Sequence, residues 1–165
     1  MSTLFGIVAL REGQVRDRRD RLTDFLDAWG DLRVVDFGGD RDRRLLEFSL
    51  EAPGHDLPVE IRGRYGEYYR RRGKRWLLAK YHYEYLDIAR GARLAYHLHD
   101  IGLRRLVAHA HCDDATTLAT NEGKHQLRAV ELDLREVHMQ FMRLYASDSP
   151  PDCSAFLPLG IRRDT

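Results

Sequence analysis

Residues 75–112 read RWLLAKYHYEYLDIARGARLAYHLHDIGLRRLVAHAHC, and the fold turns on how this stretch is divided. Aromatic and aliphatic residues recur at every second position, and glycines at 91 and 102 mark turns. The stretch therefore predicts three antiparallel strands, Trp76 to Ile88, Ala92 to His99 and Arg105 to Cys112. Successive side chains on a strand point to opposite faces. Leu77, Ala79, Tyr81, Tyr83 and Tyr85 then share a core face with Leu94, Tyr96 and Leu98, and with Leu106, Ala108, Ala110 and Cys112. The other face receives Lys80, His82, Glu84, His97, His99, His109 and His111, with Trp76, Leu78, Leu86 and Ile88 walling it toward the strand ends. A two-residue turn at Arg90-Gly91 pairs Glu84 with His97 and His82 with His99, and a three-residue turn at Gly102-Leu103-Arg104 pairs His97 with His109.

Working outward, Thr3 to Leu10 reads as a strand. Val15 to Trp29 reads as a helix, with Leu22, Phe25, Leu26 and Trp29 on one side. Strands Leu32 to Phe37 and Leu45 to Leu50 flank the turn Gly38-Gly39-Asp40. Pro53-Gly54 and Pro58 bracket a loop, and Val59 to Tyr69 forms a hairpin with the next strand through Gly73. Toward the end, Asn121 and Glu122 start a helix in which Leu127, Val130, Leu134, Val137, Phe141 and Leu144 form an apolar stripe. His138 is expected on the flank of that helix. Residues 148–165, with Pro150, Pro151 and Pro158, read as an extended tail folding back through Phe156 and Leu157. The expected fold class is α+β: a mostly antiparallel sheet of about seven strands, with an N-terminal helix and a long C-terminal helix packed on it. Residues 1–165 are expected to form one domain.

Composition narrows the classes. A length of 165 residues suits one core, and 43% hydrophobic with 32% charged residues argues against both disorder and a membrane span. The run Leu4 to Leu10 is too short to cross a bilayer, and no basic segment precedes it as a signal peptide would need. Cys112 and Cys153 have neither zinc-ribbon spacing nor the density of a secreted scaffold, so they are expected as reduced thiols in a cytoplasmic protein. The formal net charge of +1 argues against a strongly basic nucleic-acid binder, yet the charge is uneven. Arg62, Arg64, Arg70, Arg71, Arg72, Lys74, Arg75 and Lys80 face only Glu60 and Glu67 locally. That window is either a hairpin kept from edge aggregation by its charges or an anion-binding surface.

A lone histidine is usually a satisfied surface or core residue, but five converging on one sheet face are not the Thr, Lys and Glu such a face normally carries. Three uses follow. The first needs no cofactor and is metal-independent RNA cleavage. Glu84 or His82 serves as base and His97 or His99 as acid, His109 and His111 stand beside them, and Lys80 with Arg62 or Arg64 stabilises the phosphorane. The second is a divalent zinc or iron site built from His97, His99, His109 and Glu84, because His-x-His on a strand points both imidazoles one way. The third is a non-enzymatic docking surface for a protein partner, tuned by histidine protonation. No glycine-rich phosphate loop, Gly-x-Ser-x-Gly elbow or dinucleotide fingerprint occurs.

Tyr81-His82-Tyr83, Leu94-Ala95-Tyr96 and His109-Ala110-His111 together resemble the TumE-like toxins of bacterial toxin-antitoxin pairs, over about the middle third of the chain. The resemblance implies a small growth-inhibiting toxin with an antitoxin partner and an RNA target, and it carries onto Tyr96, His109 and His111. Tyr96 is followed here by His97-Leu98-His99-Asp100, where that family has an aspartate-asparagine pair. On these grounds the leading expectation is a small ribonuclease of general acid-base type, with Arg62, Arg64 and Tyr96 contacting substrate.

Overall fold

Alternation of side chains across one sheet organises the chain. The computed structural model describes residues 9–51, 61–100, 106–114, 124–127, 132–145, 153, 156, 158 and 159. The elements are β1 (Ala9–Leu10), α1 (Glu12–Asp27), β2 (Asp31–Gly38), β3 (Arg43–Glu51), β4 (Ile61–Arg72), β5 (Arg75–Asp87), β6 (Ala92–Asp100), β7 (Leu106–Asp113), β8 (Lys124–Gln126) and α2 (Leu134–Tyr145). Strands β2 to β8 lie in sequence order as an antiparallel meander, and β1 pairs with the start of β5, beyond the reach of β6. The antiparallel sheet with two helices agrees with the expected architecture. The expected turn at 102–104, the loop around Pro53 to Pro58, and Leu157 lie outside the described residues, as does most of the expected first strand.

Both helices pack on one face of the sheet. Leu46, Phe48, Leu50, Tyr65, Tyr81, Tyr83, Tyr85, Leu94, Tyr96 and Leu98 are buried there. Helix α1 meets them through Val15, Arg18, Leu22 and Leu26, which recur three or four residues apart. Arg18 is buried, and its guanidinium donates to both oxygens of the buried Glu67, at 3.1 and 2.5 Å. Tyr69 and Tyr83 donate their hydroxyls to the same carboxylate at 2.6 and 2.7 Å. Burial alone would push the Glu67 carboxyl up, but Arg18 and the two phenols hold it below the usual carboxylate range. Glu67 thus belongs to the helix-sheet interface and does not screen the basic hairpin. Removing one partner would strand a buried charge at a cost of about 3–5 kcal/mol.

The C-terminal helix is shorter than the apolar stripe implied. Lys124–Gln126 is a strand, pairing His125 with Ala110, and the Leu127 N–H reaches the Ala108 carbonyl. Helix α2 spans 12 residues and begins after Asp133, whose carboxylate accepts the Arg135 N–H at 2.8 Å. Leu134, Val137 and Phe141 are buried as the stripe requires. The expectation of a long helix from Asn121 is therefore corrected. The edge of β7 offers backbone partners to residues 124–126, and three residues carry too little pattern to announce a strand.

His138 is corrected as well, since it is a core residue and not a flank residue of α2. It is fully buried, its Nδ1 lies 2.8 Å from the Tyr65 hydroxyl, and its ring packs against Phe25, Trp29 and Tyr85. Burial pushes its pKa down to about 4.

The two cysteines are not reduced thiols. Cys112, on the core face of β7, is joined to Cys153 in a disulfide. The expected return of the tail is borne out at Phe156, which is buried with its ring beside Tyr96 and His125, and the Leu159 N–H donates to the Tyr96 hydroxyl at 2.9 Å.

Two outcomes follow. The disulfide closes a span of 41 residues, so reduction should remove about 4 kcal/mol of stability. A lower thermal midpoint in reductant, reproduced by Cys153→Ser without reductant, is the expected result, and two titratable thiols in untreated protein would exclude the bond. His138 titrates near 6.5 unfolded and about 4 folded, so the unfolded chain takes up its proton first as pH falls. Its stabilising contribution is complete above about 6.5 and is lost progressively toward about 4. The fall in thermal midpoint across that window should be shallower in His138→Gln.

Candidate metal and acid-base site

Four central strands supply the site, and β5 sets its parity. Tyr68 pairs with Lys80 but Tyr69 pairs with Leu78, so Ala79 is an extra residue, a β-bulge. Beyond it Lys80, His82 and Glu84 share the face away from the helices, as expected. Before it the parity is reversed. Trp76 and Leu78, expected to wall the histidines, are buried in the core instead, and the Trp76 indole donates to Glu12 at 2.6 Å. Within β6 and β7, strict alternation puts His97, His99, His109 and His111 on the site face.

The β5–β6 register differs from expectation by two residues. Asp87 pairs with Ala92, leaving a four-residue turn from Ile88 to Gly91, so His82 pairs with His97 and Glu84 with Ala95. Gly91 takes φ 63°, the left-handed conformation that glycine tolerates best. An even shift preserves faces, so the constellation survives. His97 pairs with His109 as expected.

The rings are close. His97 lies with its centroid 5.7 Å from His99, 5.2 Å from His109 and 5.3 Å from His111; His99 and His109 are stacked at 5.1 Å, and His109 and His111 stand 4.9 Å apart. His97 Nε2 is 2.6 Å from Glu84 Oε1. One ligand atom from each of His97, His99 and His109 lies within 4.8 Å of the others. His109 and His111 are only 5% and 6% exposed, and their Nδ1 atoms have no hydrogen-bond partner. Burial, with Lys124 and His97 adding repulsion, pushes His109 down to about 3. Burial followed by Arg93 brings His111 to about 4 despite Asp113, whose carboxylate lies 3.8 Å away. Burial lowers His99 and His82 as well. Glu84 is held below its usual range, first by its hydrogen bond with His97.

The other expected residues divide. Arg62, Arg64 and Lys80 are exposed on the site face, with Arg64 paired opposite Glu84 and Arg62 opposite Leu86. Tyr96 is not brought to the site. It is buried on the opposite face, where its hydroxyl hydrogen-bonds Gln140.

Several partners were not anticipated. Asp113 accepts both Arg93 Nε and Nη2, at 2.8 and 2.6 Å, and closes the site beside His111. The alternation His109-x-His111-x-Asp113 carried that signal. Glu47 of β3 stands 3.9 Å from His82 Nε2. Gly66, paired with His82, is what lets that ring lie across β4: a Cβ there would meet His82 Cε1 at 2.1 Å.

Gly66→Ala should therefore drive the His82 imidazole out over solvent. Its NMR titration should move up from its lowered value toward the ordinary 6.5, while the Tyr65 and Tyr83 core signals hold. An unmoved His82 titration would mean that the ring does not rest on Gly66. No protein-family model matches this chain, and no curated protein or solved structure matches it either.

Proposed function

We propose that His97, His99 and His109 form a divalent-metal centre of a hydrolase, with zinc as the metal best suited to three imidazoles. The observation that carries this reading is the clustering of their ligand atoms within 4.8 Å. Two nitrogens bound to one tetrahedral zinc at about 2.0–2.1 Å stand about 3.4 Å apart, so side-chain rotation has to draw the set in by about 1.4 Å at most. Metal ligation requires neutral imidazoles, and burial keeps His99 and His109 neutral near pH 7. Glu84 supports the reading too, because a carboxylate on one imidazole nitrogen fixes the ring and leaves the other nitrogen for the metal. Three protein ligands with an open position supply an activated water at neutral pH. His111, neutral and beside His97 and His109, borders the centre, and Lys80 and Arg64 on the same face add positive charge for an anionic intermediate.

Metal-independent ribonuclease action is the second reading, supported by the Glu84–His97 pair with Arg62, Arg64 and Lys80 on the same face. It requires a histidine that carries a proton at neutral pH, and the lowered His99, His109 and His111 work against that. The Cys112–Cys153 bond supports an oxidising compartment in place of the cytoplasmic expectation. Among the described residues, no helix is long and apolar enough to cross a membrane.

Calorimetric titration of the full chain with zinc should show one tight site. His99→Ala and His109→Ala should each abolish it with the circular dichroism spectrum unchanged, and Glu84→Gln should weaken it about 10- to 100-fold. Absence of zinc, iron or manganese binding, together with RNA cleavage in EDTA, would replace this reading with the second.

A further inference from the structure

On the same face of the sheet, toward the tip of the β4–β5 hairpin, lies a cavity of about 640 Å³ that reaches His99. Its floor is laid by register. Arg43 pairs with Arg70 and Leu45 with Tyr68, and Tyr68 pairs in turn with Lys80, so these five side chains rise on one side of three adjacent strands. Arg44 and Asp40 complete the rim. Arg43, Arg70 and Lys80 thus share this side, while Arg44 is held in an ion pair with Glu12 at 3.0 Å and the Asp40 carboxylate accepts the Asp42 N–H at 2.8 Å. Lys80 Nζ lies 5.0 Å from the centre of the Tyr68 ring, so cation and aromatic surface are presented together. Because Ala79 is the bulged residue and also lines the cavity, the local bend of β5 shapes the pocket as well as setting parity.

We propose that this cavity binds the phosphate group of a small phosphate ester, with the organic part lying over Leu45 and Tyr68 and the ester directed at His99. As the substrate site of the metal centre it rests on the three-histidine reading, but its phosphate affinity does not. The volume falls in the range of small-ligand pockets, and Arg and Lys converging from three strands match a compact dianion better than an extended chain. RNA would instead draw on Arg62 and Arg64, which lie farther along β4, opposite Leu86 and Glu84.

The test is calorimetry on the full chain with phenyl phosphate, inorganic phosphate, phenol and a twelve-nucleotide RNA, first in EDTA and then with zinc. Phenyl phosphate should bind in EDTA, at least tenfold tighter than inorganic phosphate, and phenol should not bind. Arg43→Ala and Arg70→Ala should each weaken phenyl phosphate at least tenfold and leave zinc affinity unchanged. Phosphate binding without any zinc binding would sustain the cavity and overturn the metal centre. Zinc binding with no phenyl phosphate binding would overturn the cavity alone. RNA that binds more tightly than phenyl phosphate, and loses affinity in Arg62→Ala or Arg64→Ala but not in Arg43→Ala, would also overturn it.

Discussion

Each residue of an extended strand must commit its side chain to one of two environments, and β5 makes that choice for the whole sheet. It pairs with β4, β6 and β1. Tyr81, Tyr83 and Tyr85 go to the helices, where their phenols bury apolar area and the hydroxyls of Tyr83 and Tyr85 meet Glu67 and His138. Lys80, His82 and Glu84 go to the other side. Since β6 and β7 follow in register, their histidines have no choice of face once β5 is placed.

Polar groups occur on both sides of the sheet. Beneath α1, Arg18 and Glu67 satisfy one another and two tyrosines, which fixes the angle of the helix on the sheet. Across the sheet, His109 and His111 are buried with an unpartnered nitrogen each. Leaving such groups unpaired costs about 1–3 kcal/mol each. The Arg18–Glu67 cluster is complete in itself, whereas the Tyr81 hydroxyl and His138 Nε2 on the helix side share with the two histidine nitrogens across the sheet the lack of a hydrogen-bond partner.

Much of this was legible because parity is a forgiving signal. The turn between β5 and β6 has four residues and not two, yet an even slip leaves every side chain on its expected face. Odd changes are not forgiven. The bulge at Ala79 reverses Trp76 and Leu78, and nothing in the run Trp76-Leu77-Leu78-Ala79 distinguishes the two faces, because all four residues are apolar. Likewise Tyr96 could be assigned a face from alternation, yet its grouping with Arg62 and Arg64 rested on a family likeness that says nothing of orientation. The disulfide was hidden because Cys112 and Cys153 are distant in sequence and meet only when the tail returns across the core side of β7. β8 was hidden by its length, and the buried Arg18 by its charge.

The bulge at Ala79 also has a genetic side. Losing Ala79 itself would restore uninterrupted pairing with β4 and leave Trp76 on the core side with its hydrogen bond to Glu12, because Leu78 and Lys80 already pair with adjacent residues of β4. Adding or losing two residues at the β5–β6 connection would instead slide partners without exchanging surfaces. Variation among descendants of this chain should therefore accumulate as even-numbered length changes at that loop and as loss of the bulged residue, with the regular run Lys80 to Glu84 nearly closed to single-residue insertion or deletion.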